Sequence, residues 1–457
     1  MGNNEMNQLA VETAGTGLPA KTELEKTIAH AIEIAKSSGA SAAEAVISAE
    51  TGFCVTARMG EVETVEHNRD NGLGITVYFG NRKGSASTTD TSEKGIRSTV
   101  QAACDIARYT AEDKCAGLAD KADLATEFLD LKMNHPWQID TSAAIELAIE
   151  CEAAALEYDT RIKNSEGGSI SSHTGLRVYG NSHGFLDGYA SSYHSASCAV
   201  IAEDDSGMER DYWYSSARKA DTLEEMASIG HKAAERTLSR LGAQRLSTRT
   251  APILFAADVA ASLLGHFVSA VRGSSLYRKA SFMLDRVGDQ VFADHIRLHE
   301  QPHLLGGLGS APFDNEGVTT RPRDLVTSGV LQGYVLDSYS ARRLDLKTTG
   351  NAGGVHNLTL EPGELDAQGL LKEMDTGLLV TELMGSAVNG VTGDYSRGAA
   401  GFWVAGGEIQ YPVSEITIAG HLNDMYKNIV AVGNDVDLRR STRTGSILLE
   451  EMTVAGE

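Results

Sequence analysis

Apolar residues recur at helical spacing in four segments of the first half of the chain. Leu24, Ile28 and Ile32 form one stripe that ends at Ser37-Ser38-Gly39, which predicts the first helix. The same spacing predicts helices over residues 91–109, 141–157 and 222–241, with Gly242 as the residue that ends the last of them.

Alternating apolar and polar positions predict strands between these helices. The runs "AEAVIS", "FCVTAR", "EVETVEH" and "LGITVYF" have this pattern, with turns expected at Asn71-Gly72 and Gly80-Asn81. Residues 168–217 also have the pattern of strands and hairpins. Helices and antiparallel hairpins in runs are typical of an α+β fold. We therefore expect a flexible tail at residues 1–20 and an N-terminal α+β domain with an antiparallel sheet over residues 21–245.

The second half has a different pattern, and "LSTRT" is a plausible boundary. After it, "APILFAA" predicts a strand and "DVAASLLGHFVSAVRG" an apolar helix. The remainder is rich in glycine and in strand-like runs, with hairpin turns expected at Ser328-Gly329 and Gly406-Gly407. These features predict a C-terminal β-rich domain with few helices over residues 246–457.

Composition narrows the classes of partner. Hydrophobic residues make up 42% of the chain and charged residues 22%, which is typical of a globular protein. The formal net charge is −22, so the overall field disfavours binding to nucleic acid or to an anionic membrane. We expect neither as a partner.

The cysteines, Cys54, Cys104, Cys115, Cys151 and Cys198, are odd in number and form no C-x-x-C pair. This pattern fits neither a disulfide framework nor a thiolate zinc cluster, and it is compatible with a reducing cytosol. The N-terminus has no basic region followed by an apolar run, so no signal peptide is expected. No apolar run is long enough to span a bilayer. We expect a cytoplasmic protein.

The stretch "LHEQPHLLGG" contains the zinc-protease pattern H-E-x-x-H, from His299 to His303. On a helix, two such histidines can hold one zinc ion while the glutamate polarises a bound water. Pro302 disfavours that helix because it lacks an N–H group and its ring clashes with the preceding turn. The sequence favours a polar loop that contains two histidines.

A second short pattern, G-x-S-x-G, surrounds Ser182. A nucleophilic serine of this kind needs a strand before it and a helix after it. The residues that follow, "FLDGYASSYHSASCAVIA", alternate like a strand. A hairpin turn made of Asn, Ser and Gly is therefore the preferred interpretation.

Two polar features remain as candidates for binding a substrate or a partner. His266 lies in the predicted apolar helix "LLGHFVSAV", where a histidine is usually packed and hydrogen-bonded. Asp394, Tyr395, Ser396 and Arg397 form a polar cluster beside glycines and a strand. This cluster either binds a ligand or forms an ordinary turn with an internal Asp–Arg pair. The residues alone assign no catalytic group and no metal ligand.

Long stretches of the chain resemble the TldD/PmbA family, from about residue 24 to the C-terminus. They include "VTARMGEVETVEHN", "LGITVYFGNRKGSASTTD", "PFDNEGVTTRPRDLVTSGVLQGYVLDSYSARRL", "TGNAGGVHN" and "TGDYSRGAAGFWVAGGEIQYPVSEITIAGHLNDMYKNIVAVGND". The likeness is closer to the PmbA (TldE) branch than to the TldD branch.

The resemblance implies that this chain has no metal site. In the family, the TldD branch carries zinc on an H-E-x-x-x-H helix and a later cysteine. The matching positions here are Gly265, His266 and Ala270, and no cysteine follows Cys198. We therefore expect no cofactor in this chain and zinc in a TldD-like partner.

The family resemblance further implies a cytosolic metallopeptidase of two kinds of subunit that cleaves unfolded or extended peptides, in peptide maturation and antitoxin degradation. This chain would be the subunit that shapes the substrate chamber without itself catalysing. The alternative is a homodimeric regulator that binds a peptide or protein without a proteolytic role, which the family's older description as a modulator of DNA gyrase would fit.

Overall fold

A computed structural model describes residues 17–456 of the chain. The tail predicted for residues 1–20 falls for the most part outside the described residues. The helices are α1 (Lys21–Ser37), α2 (Glu93–Tyr109), α3 (Thr141–Leu156), α4 (Met226–Ser239), α5 (Ala257–Val271), α6 (Gly273–Tyr277), α7 (Ser338–Arg343), α8 (Ala367–Met374) and α9 (Leu422–Lys427).

The strands of the first half are β1 (Ala42–Arg58), β2 (Glu61–Phe79), β3 (Arg82–Thr88), β4 (Ile162–Asn181), β5 (Leu186–Asp204) and β6 (Gly207–Ala217). Those of the second half are β7 (Arg249–Phe255), β8 (Leu298–Glu300), β9 (Arg323–Thr327), β10 (Val330–Leu331), β11 (Leu358–Leu360), β12 (Gly377–Met384), β13 (Asp394–Ala405), β14 (Glu408–His421), β15 (Ile429–Val432), β16 (Thr442–Arg443) and β17 (Ile447–Ala455).

The N-terminal strands form one antiparallel sheet in the order β3-β2-β1-β4-β5-β6. Alternate residues of β1 point to the same face, which places Ile47 under α1 and α2 and Val55 under α3 and α4. At Gly230 of α4, an added Cβ would lie 2.2 Å from the carbonyl oxygen of Cys151, so only glycine permits this approach of α4 to α3. The predicted helices are confirmed, with the fourth beginning at Met226.

The turn predicted at Asn71-Gly72 is wrong. Both residues lie inside β2, where Asn71 pairs with Ala49 and Gly72 pairs with Ser48. A two-residue hairpin turn needs positive φ angles, and neither residue has one. Because β1 continues through this region between β2 and β4, its partner stays extended as well. The turn at Gly80 is confirmed, with a φ of 60°.

The C-terminal half is built on a sheet in the order β14-β13-β12-β7-β17-β15. β14 also pairs with β17, so the five strands β14, β13, β12, β7 and β17 form a closed ring. Closure leaves these strands without a free edge between them. The predicted turns at Ser328-Gly329 and Gly406-Gly407 are confirmed, and all four residues have positive φ angles. A smaller sheet has the order β10-β9-β8-β11-β16.

Helix α5 holds its apolar face against this closed sheet. Phe267 is fully buried and packs edge-on against Phe292 and Tyr426. The hydroxyl of Tyr426 donates to the carbonyl oxygen of Leu263 at 2.9 Å, which fixes α5 to the segment after β14. The opposite face of the N-terminal sheet packs on the C-terminal half through Val46, Tyr189 and Phe313, among others.

The predicted fold class, an α+β N-terminal part with an antiparallel sheet and a β-rich C-terminal part, is confirmed. The division at residue 245 stays a prediction. Within residues 17–456 no helix is both long and apolar enough to cross a membrane.

Candidate functional site

A cleft separates the edge strand β6 from the first turns of α5. It encloses a cavity of about 290 Å³. Residues 210–214 of β6, Ser262 of α5, residues 381–383 of β12 and Arg397 of β13 contribute to its walls. The cavity therefore lies where the N-terminal sheet meets the C-terminal half, and such junctions commonly hold binding sites.

The periodicities of α5 and β13 bring three of the candidate residues to this region. His266 lies one turn after Ser262 on α5. On β13, Tyr395 and Arg397 share a face because strand residues two apart point the same way. The rings of His266 and Tyr395 meet edge to face, with centroids 5.9 Å apart and planes at 77°.

These three side chains carry buried polar atoms. Among residues 17–456, His266 Nε2 and Arg397 Nε make no hydrogen bond of standard geometry, and the Tyr395 hydroxyl has only the side chain of Arg397 close enough to interact with it. Tyr395 is only 1% exposed. Arg397 uses one other nitrogen, Nη2, to donate to the carbonyl oxygen of Leu383 at 3.2 Å. A buried polar atom without a partner costs free energy, and a bound ligand is one of the groups that can satisfy it.

Burial sets the protonation states of this group. It lowers the pKa of His266, and the nearby positive charge of Arg397 lowers that pKa further. Burial raises the pKa of Tyr395 to about 12, against the opposing effect of Arg397. At neutral pH, His266 is therefore uncharged and Tyr395 keeps its proton. All three can donate a hydrogen bond.

The other two candidates lie apart from His266. Asp394 is exposed and accepts a hydrogen bond from the hydroxyl of Thr392 at 2.5 Å. Ser396 follows on the same face of β13, opposite to Tyr395 and Arg397. Residues 394–397 lie in strand β13 rather than in a turn, and the described partners of Asp394 and Arg397 are Thr392 and the carbonyl oxygen of Leu383, so the prediction of an internal Asp–Arg pair is wrong. The binding role of these residues stays a prediction.

Sequence reasoning missed the arginine-rich wall of the cleft. The ion pairs described there include Arg210–Glu166, Arg236–Asp258, Arg240–Glu382, Arg439–Asp437 and Arg440–Asp437, and Asp211 also pairs with Arg236 and Arg240. Arg397 is the guanidinium of this wall that has no carboxylate within ion-pair distance among the described residues. The adjacent residues Arg439 and Arg440 are a visible sequence signal for this wall. Their contacts with Tyr214 of β6, which is distant in the sequence, could not be predicted from it.

A larger cavity of about 490 Å³ lies beside the first. The two cavities share Trp213, Arg236, Asp258 and Arg439 as lining residues. The larger one is mostly apolar, with Leu254, Leu371, Leu379 and Leu438 in its walls. A charged cavity thus adjoins an apolar one.

The segment "HEQPH" has another role. His299 and Glu300 lie on the short strand β8, so the prediction of a polar loop is wrong for these two residues. Glu300 is 2% exposed and accepts hydrogen bonds from Arg323 Nε, Asn351 Nδ2 and the backbone N–H of His356. Its carboxylate is therefore committed to holding β8, β9 and the loop before β11 together. His303 lies apart, with Nε2 3.0 Å from the hydroxyl of Thr320.

The segment around Ser182 is the hairpin turn between β4 and β5, which confirms the preferred interpretation. The Ser182 hydroxyl oxygen accepts a hydrogen bond from the backbone N–H of Ala43 at 3.1 Å. Gly184 has a φ of 100°, which only glycine adopts readily. A strand follows this serine where a nucleophile elbow would need a helix.

Comparison with protein families accounts for most of the chain. Residues 43–107 match the PmbA/TldA metallopeptidase domain 1, residues 134–241 its central domain, and residues 248–456 its C-terminal domain. The chain belongs to the PmbA/TldD metallopeptidase family.

Similar proteins extend over almost the full length of this family member. Metalloprotease PmbA of Escherichia coli O157:H7 is 55% identical over 95% of this chain and 96% of its own. The PmbA homologue of Haemophilus influenzae is 50% identical, with the same coverage of 95% and 96%. A proposed modulator of DNA gyrase from Bacteroides thetaiotaomicron has a crystal structure with a TM-score of 0.90, at 29% identity over 95% of this chain and 99% of that one. TldE from Thermococcus kodakarensis shares the fold, with a TM-score of 0.83 at 19% identity over 94% of this chain and 100% of that one.

The residues at the zinc position expected for the TldD branch do not fit a metal. Gly265 has no side chain, and Ala270 is buried with only a methyl group. Between them, His266 takes the place expected for the glutamate. Residues 17–456 contain no group of three or more His, Cys, Asp or Glu side chains that could hold a metal ion.

Proposed function

We propose that this chain is the non-catalytic subunit of a cytosolic metallopeptidase, that a TldD-like subunit supplies the zinc, and that the two together cleave unfolded or extended peptides. In this assembly the chain shapes the chamber in which the peptide lies. Membership of a metallopeptidase family gives the class of reaction.

The observation that carries the proposal is the loss of donors on α5. A zinc ion needs nitrogen, sulfur or oxygen ligands from its protein, and Gly265 and Ala270 offer none from their side chains. His266 is uncharged and lies against Tyr395, and the charged group that acts on it within the described part of the chain is Arg397 rather than a carboxylate that could serve as a base. Hydrolysis of a peptide bond by this chain alone has no support at these positions.

The cleft beside α5 supports a retained role in binding. A subunit that had lost all contact with substrate would have no need to keep buried donors without partners, because each one destabilises the fold. The free edge of β6 also runs along the cavity, and an extended peptide can pair with such an edge.

The test is reconstitution with a TldD-like subunit from the same source. The two chains are purified separately and mixed, and cleavage of an unfolded peptide is measured for each chain alone and for the mixture. We expect cleavage by the mixture that exceeds the sum of the separate rates and that a zinc chelator abolishes. Equal rates with and without this chain would overturn the proposal.

The same experiment separates the alternative, a homodimeric binding protein without a proteolytic role. Size-exclusion chromatography with light scattering reports whether the mixture forms a complex of both chains. A complex of unlike chains supports the proposed assembly. Homodimers alone, together with an unchanged cleavage rate, would favour the regulator.

A further inference from the structure

Arg397 differs from the other arginines that line the cavity in its ion pairing. Its buried Nε has no partner, and no carboxylate of the described residues lies within ion-pair distance of its guanidinium. The other arginines of the same wall already have acidic partners. Arg397 is half-buried, so its guanidinium loses part of its hydration without an acidic partner, and an anionic ligand would offset that cost.

Two neutral donors lie beside it. The buried Tyr395 hydroxyl interacts with the side chain of Arg397, His266 Nε2 makes no hydrogen bond of standard geometry among the described residues, and the two rings are in contact. Arg397 follows Tyr395 by two residues on the same face of β13. Of these three residues Arg397 is the one that lines the cavity, and its planar guanidinium matches the two oxygen atoms of a carboxylate.

We propose that the cavity between β6 and α5 binds a carboxylate group of an extended peptide at Arg397, and that Tyr395 and His266, which lie behind Arg397 and do not line the cavity, position its side chain. The inference rests on the proposed function only in taking the carboxylate to belong to a peptide. It gives this chain, which has no metal-binding side chains at Gly265 and Ala270, a role in recognising the carboxylate of the peptide.

The shape and charge of the cavity favour a peptide carboxylate over a larger or more highly charged anion. A volume of about 290 Å³ accommodates a terminal residue or an acidic side chain. Asp211, Asp258 and Glu382 also line the cavity, and their negative charges would repel a phosphate dianion more strongly than a carboxylate monoanion. The adjoining apolar cavity of about 490 Å³ can take an apolar side chain of the same peptide.

The probe is one fluorescently labelled, unstructured peptide of Gly, Ser and Leu in three forms. The first has a free C-terminal carboxylate, the second a C-terminal amide, and the third a C-terminal amide with one internal Glu. Fluorescence anisotropy gives the affinity of each for the full chain, alone and with the TldD-like subunit. We expect at least one carboxylate-bearing form to bind about tenfold or more tightly than the uncharged form, as a charge-assisted hydrogen bond provides. The form that gains identifies the source of the carboxylate.

Matched variants test the residues. Arg397→Gln removes the preference for a carboxylate, and Arg397→Lys, which keeps the charge but not the planar fork, retains part of it. Tyr395→Phe weakens the preference. Arg161→Gln is the control, because Arg161 is paired with Asp159 and does not line the cavity. It should keep the full preference. Thermal unfolding confirms that each variant is folded.

Equal affinities for the three forms, or no measurable binding of any form at millimolar concentration, would overturn the carboxylate site. A preference that survives Arg397→Gln, or displacement of the peptide by inorganic phosphate at lower concentration than by acetate, would do the same. The proposed function has a different point of failure, namely an unchanged cleavage rate when the subunits are mixed. The two outcomes are therefore distinguishable.

Discussion

The guanidinium of Arg439 lies over the ring of Trp213, with 4.0 Å between its central carbon and the ring centroid. Arg439 Nη1 also donates to the backbone carbonyl of Tyr214, and the carbonyl oxygen of Arg439 accepts a hydrogen bond from the hydroxyl of Ser216. Asp437 holds the same guanidinium through both carboxylate oxygens. A single residue near the C-terminus thus fixes strand β6 to the C-terminal half and forms the partition between the two cavities.

Replacing Trp213 should destabilise the junction. Trp213→Ala removes the surface on which Arg439, Lys232 and Arg236 all stack. We expect a loss of about 2–3 kcal/mol in the free energy of unfolding, from lost packing and lost cation–π contacts. Chemical denaturation measures it. Tyr109→Ala is the control, because Tyr109 is 92% exposed and should change stability by less than about 0.5 kcal/mol. Equal stabilities of the two variants would contradict the assigned role of Trp213.

Glu316 should make stability depend on pH. Burial raises the pKa of its carboxyl group from 4.5 to about 7. Since the folded state binds the proton more tightly than the unfolded state, this contribution is complete below pH 4.5 and is lost as pH rises through about 7. Glu316→Gln keeps an oxygen for the backbone N–H of Ser338 and removes the charge. We expect the variant to gain up to about 3 kcal/mol relative to the wild type between pH 5 and pH 8.

The measurement is denaturation of both proteins at several pH values. The exposed residue Glu373 provides the control, since Glu373→Gln should follow the wild-type curve at every pH. A constant difference between Glu316→Gln and the wild type across this range would show that Glu316 does not titrate as its burial requires.

We expect the "HEQPH" segment to stabilise the fold rather than to bind a metal ion. Glu300→Ala leaves Arg323 and Asn351 without their shared acceptor in a buried site, and we expect a loss of about 3–5 kcal/mol in stability. His303→Ala removes one contact with Thr320 and should cost about 1 kcal/mol. Thermal unfolding compares them. Larger damage from His303→Ala than from Glu300→Ala would refute this account of the segment.

Local patterns in the sequence predict most of the helices and strands. They do not predict contacts between residues that are distant in the sequence. The stripe of Leu24, Ile28 and Ile32 correctly marks α1, because one helix face must be apolar to pack on a sheet. Asn71-Gly72 was misleading, because the pairing of β1 with both neighbours outweighs the local preference for a turn.

The residues of the cleft also show that a sequence pattern can name candidate residues without predicting which of them are in contact. His266 and the cluster of residues 394–397 were candidates from their residue types, but only the structure shows that His266 meets Tyr395 and not Asp394. Arg439 and Tyr214 lie 225 positions apart in the chain, so no local pattern joins them. The expectation that Gly265 and Ala270 stand at the positions of zinc ligands depends on the family resemblance, since neither residue has a chemical signal of its own.

The central claim is that this chain does not hold the metal of the peptidase. The most direct measurement is the zinc content per chain, by elemental analysis of protein purified alone without chelator and free of a TldD-like partner. The account predicts a zinc content near zero, unchanged in the doubly substituted variant His299→Ala with His303→Ala. A content close to one zinc ion per chain would contradict it, and its disappearance in that variant would identify the ligands.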